Sequence, residues 1–264
     1  METNNSSILQ SCVSRSSFIT PKFIPAVTAW IGHAPFAFWL VENFKPNNII
    51  ELGTHFGFSY FCFCQQVASL KLPTRCVAVD TWTGDEHAGF YDESVFNKVR
   101  DINATSYSSF SSLLRMTFDD AIDNFPDGSI DLLHIDGRHQ YEDVKHDFET
   151  WRPKLSNRSV VLFHDTQVRE RDFGVFRFWP EISKKFPHFE FAHSYGLGVL
   201  GFGHDICPAL RPLFDASHNT EMTGAIQNSY KRLAMAILGK PIRRTEKCPC
   251  GSGQRFKHCC GSLT

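Results

Sequence analysis

Apolar residues in this chain of 264 gather into short runs, and most runs stop at a carboxylate or a glycine. Ile49–Leu52, Cys76–Val79, Leu113–Met116, Ile130–Ile135 and Ser159–Phe163 have the length of buried strands. Between them stand stretches of helical character. Ser59–Leu70 is stopped by Pro73, and a second helix is expected inside the long polar segment Thr81–Ser109. Phe118–Phe125 is closed by Pro126-Asp127-Gly128, and Tyr141–Trp151 is stopped by Pro153. Strand and helix alternate five times, which predicts an α/β protein with a Rossmann-like, doubly wound, mostly parallel sheet covered on both faces. Phe189–Ala192 and Gly198–Phe202 can add an antiparallel pair at the sheet edge.

Outside this core the pattern changes. The first ~20 residues are polar and Ser-rich, as in a mobile arm. Ile24–Phe44 is apolar and aromatic, a helix interrupted near Pro35. Residues 204–246 have the character of a linker, although Met222, Ile226, Tyr230, Leu233 and Ile237 are spaced helically within it. The expected division is an arm and helix (1–45), a catalytic domain (46–203), a helical linker (204–246) and a small, separate cysteine motif (247–262).

Hydrophobic residues make up 42% and charged residues 21%, so a packed core is expected. The net charge is -1 but uneven: six basic residues and one acidic follow Gly239, giving a tail of +5. Nucleic acid is therefore not the expected partner of the main domain. No run reaches the ~20 apolar residues of a membrane span, and the N-terminus lacks the apolar core of a secretory signal. Four of nine cysteines crowd the last 17 residues, which suits thiolates held on metal in a reducing, cytoplasmic setting.

In open α/β sheets ligands bind beyond the carboxyl ends of the strands. The chemistry-bearing residues of this chain fall there: Glu51-Leu52-Gly53, Asp80, Asp136-Gly137 and His164-Asp165. The loop Gly53-Thr54-His55-Phe56-Gly57 is not the G-x-G-x-x-G of dinucleotide sites, and its preceding carboxylate would repel a pyrophosphate. A nicotinamide-dependent oxidoreductase is disfavoured on that ground. Asp80 could accept both hydroxyls of a ribose.

IIELGTHFGFS, VAVDTW, MTFDDAI, IDLLHIDGRHQY and VVLFHDT, in that order, resemble class I SAM-dependent methyltransferases over roughly residues 46–202. The similarity is to the group with a D-G-x-H-x-Y motif after the fourth strand. The resemblance implies that Glu51, Gly53, Thr54 and Gly57 surround the methionine part of SAM. Asp80 would hold the ribose, Thr117 and Phe118 would lie near the adenine, and Asp136 would border the cofactor. It further implies O-methylation of a sugar, glycan or other small molecule, with His139 as general base and Asp136 beside it. Relatives that methylate sugars hold a divalent metal with an Asp after the fourth strand and an Asp-Asp pair after the fifth. Here Asp136, His164 and Asp165 stand at those places. They could hold a catalytic cation, although His suits Mg²⁺ poorly. A methyltransferase acting on a protein or ribosome-associated target, a metal-dependent hydroxylase and a non-catalytic SAM-binding module are the alternatives. The segment Thr83–Tyr91, with its acids, His87 and aromatics, is expected over the acceptor, and Arg169–Gly174 could form the opposite wall.

Cys248-Pro-Cys250 and Cys259-Cys260 supply two pairs of thiols nine residues apart. Four sulfurs suit tetrahedral, structural Zn²⁺. The segment resembles the SEC-C motif of the bacterial preprotein translocase motor. With its basic surroundings it could recruit a protein or ribosomal partner.

Overall fold

The structure, a computed structural model, describes residues 2–85 and 89–262. Seven strands form one sheet: β1 (Asn48–Leu52), β2 (Arg75–Asp80), β3 (Ser111–Arg115), β4 (Ile130–Ile135), β5 (Leu155–His164), β6 (His188–Phe191) and β7 (Leu197–Gly201). Their spatial order is β3-β2-β1-β4-β5-β7-β6. The first five are parallel, and β7 runs antiparallel to both of its neighbours. This is the Rossmann-like architecture expected from the alternation. The order reverses between β1 and β4, and a crevice opens there beyond the strand ends.

Alternate residues of each strand feed different cores, because side chains change face at every position. Ile49, Leu132, Val160 and Leu162 point to one face, where they join α2 (Ala34–Phe44), α3 (Phe58–Leu70), α4 (Glu93–Ser106) and α9 (Thr220–Ile237). Ile50, Leu133, Val161 and Phe163 point to the other, under α6 (Tyr141–Trp151) and α7 (Val175–Ser183). Glu51, His134 and His164 share the parity of the first set and therefore lie on the α2/α3 face. Glu51 and His134 are direct neighbours in register between β1 and β4.

The ends of the chain differ from expectation. The first 20 residues are not a mobile arm: α1 (Glu2–Ser11) leads into a short turn that buries Cys12, Val13, Ser16 and Ser17. The hydroxyl of Tyr230 on α9 donates to the Cys12 carbonyl at 2.7 Å. Pro35 does not interrupt a helix but stands in the first turn of α2, where its missing N–H costs nothing. Residues 204–246 are no loose linker. α8 (Arg211–Ala216) and α9 are packed, with Met222, Ile226, Tyr230 and Leu233 buried. The cysteine motif is not separate either, since Cys248 and Cys250 are buried in the same apolar cluster as Trp30 and α2. Helix α7 went unforeseen because Pro180 lies inside it. The remaining short helix is α5 (Phe118–Ala121). Among the described residues no helix is long and apolar enough to cross a membrane.

Candidate active site

The first loop is shaped by its glycines. Gly53 has φ +87°, and a Cβ built on it would lie 2.1 Å from the Asp136 carbonyl oxygen. Only glycine lets β1 and the turn after β4 approach so closely. Gly57 has φ +80° and starts α3. Asp80 closes the loop from β2. Its Oδ2 accepts from the N–H groups of Thr54 (2.8 Å) and His55 (2.9 Å), and its Oδ1 from Trp82 (2.6 Å). Oδ2 is thereby filled by two donors, whereas Oδ1 retains a lone pair for a ligand hydroxyl. The Trp82 indole donates to the His55 carbonyl at 3.0 Å, and the His55 ring stacks on Tyr91 at 4.5 Å.

Across the crevice the groups are side chains. His139 Nε2 lies 3.0 Å from Asp165 Oδ2 and 3.4 Å from Asp136 Oδ1. The ring is stacked on Phe173 with centroids 4.8 Å apart. His164 Nδ1 lies 3.1 Å from Asp136 Oδ1 and 3.3 Å from Asp165 Oδ1, while its Nε2 faces the Ser194 carbonyl at 3.2 Å. Both nitrogens of His164 thus meet acceptors, the arrangement of an imidazolium. Burial alone would lower its pKa, but the Asp136 and Asp165 carboxylates outweigh it and raise it to about 9. Burial likewise opposes the upward shift of His139, which hydrogen bonding to Asp136 and the charge of Asp165 produce. Burial would raise Asp136, yet the neighbouring imidazoles of His164 and His139 hold it well below the carboxylate range. Asp165 sits at φ 60°, an uncommon conformation for a non-glycine residue.

A cleft of about 640 Å³ joins the two sides. That is the size of a small-molecule site. Gly53, Thr54, Asp80, Thr117, Phe118, Asp136, His139, His164 and Asp165 all line it. Thr117 also caps α5 by accepting from Asp120 N–H. Glu51 does not line the cleft. It is fully buried, with Oε2 2.8 Å from His134 Nδ1. The Trp30 indole donates to His134 Nε2 at 3.2 Å. An indole only donates, so the His134 proton sits on Nδ1 and points at Glu51. Gly57 also lies outside the lining, at the helix start. Glu170, Arg171 and Phe173 form the wall foreseen for Arg169–Gly174. Tyr91 represents the aromatic segment, whereas Glu86, His87 and Ala88 lie outside the described residues. Sequence reasoning missed Val27–Trp30, His55 and Tyr195, which also line the cleft. Only the aromatic richness around Trp30 hinted at them.

The cysteine motif gathers four sulfurs. Cys250 and Cys259 are 3.4 Å apart, and Cys259 and Cys260 are 3.9 Å apart. All four ligand atoms fall within 4.8 Å of one another. Sulfurs at zinc-bond length on a tetrahedron stand ~3.8 Å apart, so the cluster fits this metal. Burial opposes it, but hydrogen bonds from Ser252 and the neighbouring thiols lower the Cys259 thiol to about 7. Asp136, His164 and Asp165 form a second set whose ligand atoms lie equally close.

Residues 50–166 match the family model described as a methyltransferase domain, and residues 244–262 match that of the SEC-C motif. An uncharacterized protein of Sinorhizobium fredii, y4gI, is 54% identical over 201 residues, which is 76% of this chain and 22% of that protein. The chain therefore spans about a fifth of the length of this relative. The SecA subunit of the protein translocase of Finegoldia magna is 42% identical over 45 residues, 17% of this chain and 5% of its own. Among solved structures, a candidate caffeoyl-CoA O-methyltransferase from Staphylococcus aureus aligns with a TM-score of 0.51 at 17% identity, covering 68% of this chain and 86% of its own. The cofactor-bound Rv0187 from MTB aligns with a TM-score of 0.50 at 15% identity, covering 75% and 89%. These structural likenesses establish the fold.

Proposed function

We propose that this chain binds SAM beyond β1 and β2 and methylates a hydroxyl on a sugar, glycan or other small molecule. The observation that carries this reading is one cleft with a glycine loop and Asp80 on one side and a carboxylate-held histidine on the other. SAM, when bound, supplies an electrophilic methyl group. Gly53 and the Thr54 and His55 backbone would shape its seat, with Asp80 Oδ1 accepting from a ribose hydroxyl. Thr117 and Phe118 would border the adenine. His139 would take the acceptor's hydroxyl proton, and SAM would supply the methyl, its carbon–sulfur bond giving way to the carbon–oxygen bond and S-adenosylhomocysteine leaving.

A divalent cation on Asp136, His164 and Asp165 is the second reading, favoured by the convergence of those three groups, and it would take the place of the proton on His164 Nδ1. The four cysteines would hold a structural Zn²⁺ with no open position. Four cysteines gathered on one site suit a reducing, cytoplasmic setting. Recruitment of a protein or ribosomal partner would fall to the basic tail.

The test is transfer of labelled methyl from SAM by the purified chain, offered a panel of sugars and phenols and, in parallel, ribosomes and whole-cell protein. Label on a small-molecule hydroxyl is expected. Label confined to ribosomes or protein would overturn the acceptor class.

A further inference from the structure

The wall of the cleft formed by Val27–Trp30 belongs to a segment that the fold holds from two sides. On the sheet side, Gln66 on α3 donates to Ser16 Oγ at 2.8 Å. Gln65 accepts from Lys22 N–H at 2.8 Å and donates to the Thr20 carbonyl at 3.1 Å. Phe23 meets Phe61 edge-on at 5.8 Å. On the opposite side stands the cysteine knuckle. Phe256, in the turn just before Cys259, stacks on Phe18 with centroids 5.8 Å apart and planes at 22°. Gly251, just after Cys250, has φ +77°, and a Cβ built on it would lie 2.6 Å from Leu9 Cδ2.

The segment then ends in polar contacts with the site. Trp30 reaches His134, and His134 reaches Glu51 directly beneath the Gly53 loop. His33 Nε2 lies 3.0 Å from the Ser194 carbonyl, the same oxygen that His164 Nε2 faces. A Cβ on Gly32 would collide with Ser194 Oγ at 2.0 Å, so the segment and the β6–β7 turn interlock.

We infer that the C-terminal knuckle, with metal on its four thiolates, is the buttress of the cleft's N-terminal wall, and that Trp30 is the positioning residue through which this wall fixes His134 and Glu51. A knuckle of this size has no core of its own and holds its shape through its metal. Without metal the turn carrying Phe256 and the turn at Gly251 lose their geometry. Leu9 and Phe18 lose their backing, and the wall loosens at Val27–Trp30. The tail thereby acts on the cleft from within the chain. The consequence for the cofactor rests on the SAM reading above, whereas the mechanical coupling does not.

Hydrogen–deuterium exchange on the full chain tests this, comparing zinc-loaded protein, chelated protein and zinc-loaded Phe256→Ala. Protection across residues 15–33 is expected to fall about tenfold or more in the latter two, with β1, β4 and β5 unchanged. Phe256→Ala keeps all four cysteines, so it decides the matter even if the chelated chain unfolds. Unchanged exchange over 15–33 in Phe256→Ala with full metal content would overturn the buttress. Trp30→Phe keeps an aromatic ring at this position but removes the indole N–H and the second ring. It is expected to weaken SAH binding about tenfold, a common size for coupling between sites. Parental affinity in Trp30→Phe would overturn the positioning role. Absence of SAH binding in the parent itself would sink the SAM reading and leave the exchange result to judge the buttress.

Discussion

The two sides of the cleft are made of different material. Beyond β1 and β2 the groups that face a ligand are largely main chain: a glycine at φ +87° and a loop whose N–H groups are tied to Asp80. Beyond β4 and β5 they are titrating side chains, two carboxylates and two imidazoles that set one another's protonation. The first side is fixed by backbone geometry and is suited to hold a ligand in one pose. The second changes with the placement of a single proton and is suited to chemistry. Substitutions on the first should therefore act on binding, and those on the second on rate.

The largest effect should come from the reacting side. His139→Ala is expected to lower methyl transfer by ~10²–10⁴-fold, the range for loss of a general base. SAH affinity, read by calorimetry, should stay at the parental value. A parallel loss of affinity would dissolve the distinction between the two sides. Because His139 is shifted upward, the neutral ring forms only above the ordinary imidazole range. Parental activity should accordingly rise with pH through that region.

A smaller effect separates stability from chemistry on the same side. Asp147, on α6, lies under Gly137, where a Cβ would meet its Oδ2 at 3.5 Å. Burial, aided by Asp143 and Asp119 and opposed by His146, raises its carboxyl to about 7. An acid raised in the folded state stabilises the fold when protonated. That contribution is complete below its ordinary value of 3.8 and is lost as pH rises through about 7. Asp147→Asn should therefore raise stability by about 2–4 kcal/mol near pH ~8 and leave it unchanged near pH ~4. Denaturant midpoints at the two pH values read this directly. Equal shifts at both would show that charge is not the cause.

Much of the catalytic half was legible because strand ends carry both the fold signal and the chemistry. Runs such as Ile130–Ile135 closed by Asp136 announce a buried strand and a candidate group at once. Glu51 was placed wrongly, against the cofactor, because its partner His134 becomes a neighbour only once β1 lies beside β4. Trp30 and His33 were invisible for a related reason. Their apolar, aromatic stretch reads as a packing helix until α3, α9 and the knuckle close on it, and those contacts span the length of the chain. The knuckle's own chemistry was plain from four cysteines. Its burial against Leu9 and Phe18 was not, since nothing in a short cysteine motif encodes what it will lean on.

The central claim is a SAM cleft floored by the Gly53 loop, and calorimetry of zinc-replete protein with SAM and SAH tests it most directly. Micromolar binding of both is expected in the parent, with loss in Asp80→Ala, which strips three backbone N–H groups of their acceptor. Absence of binding by the parent, or parental affinity in Asp80→Ala, would contradict it.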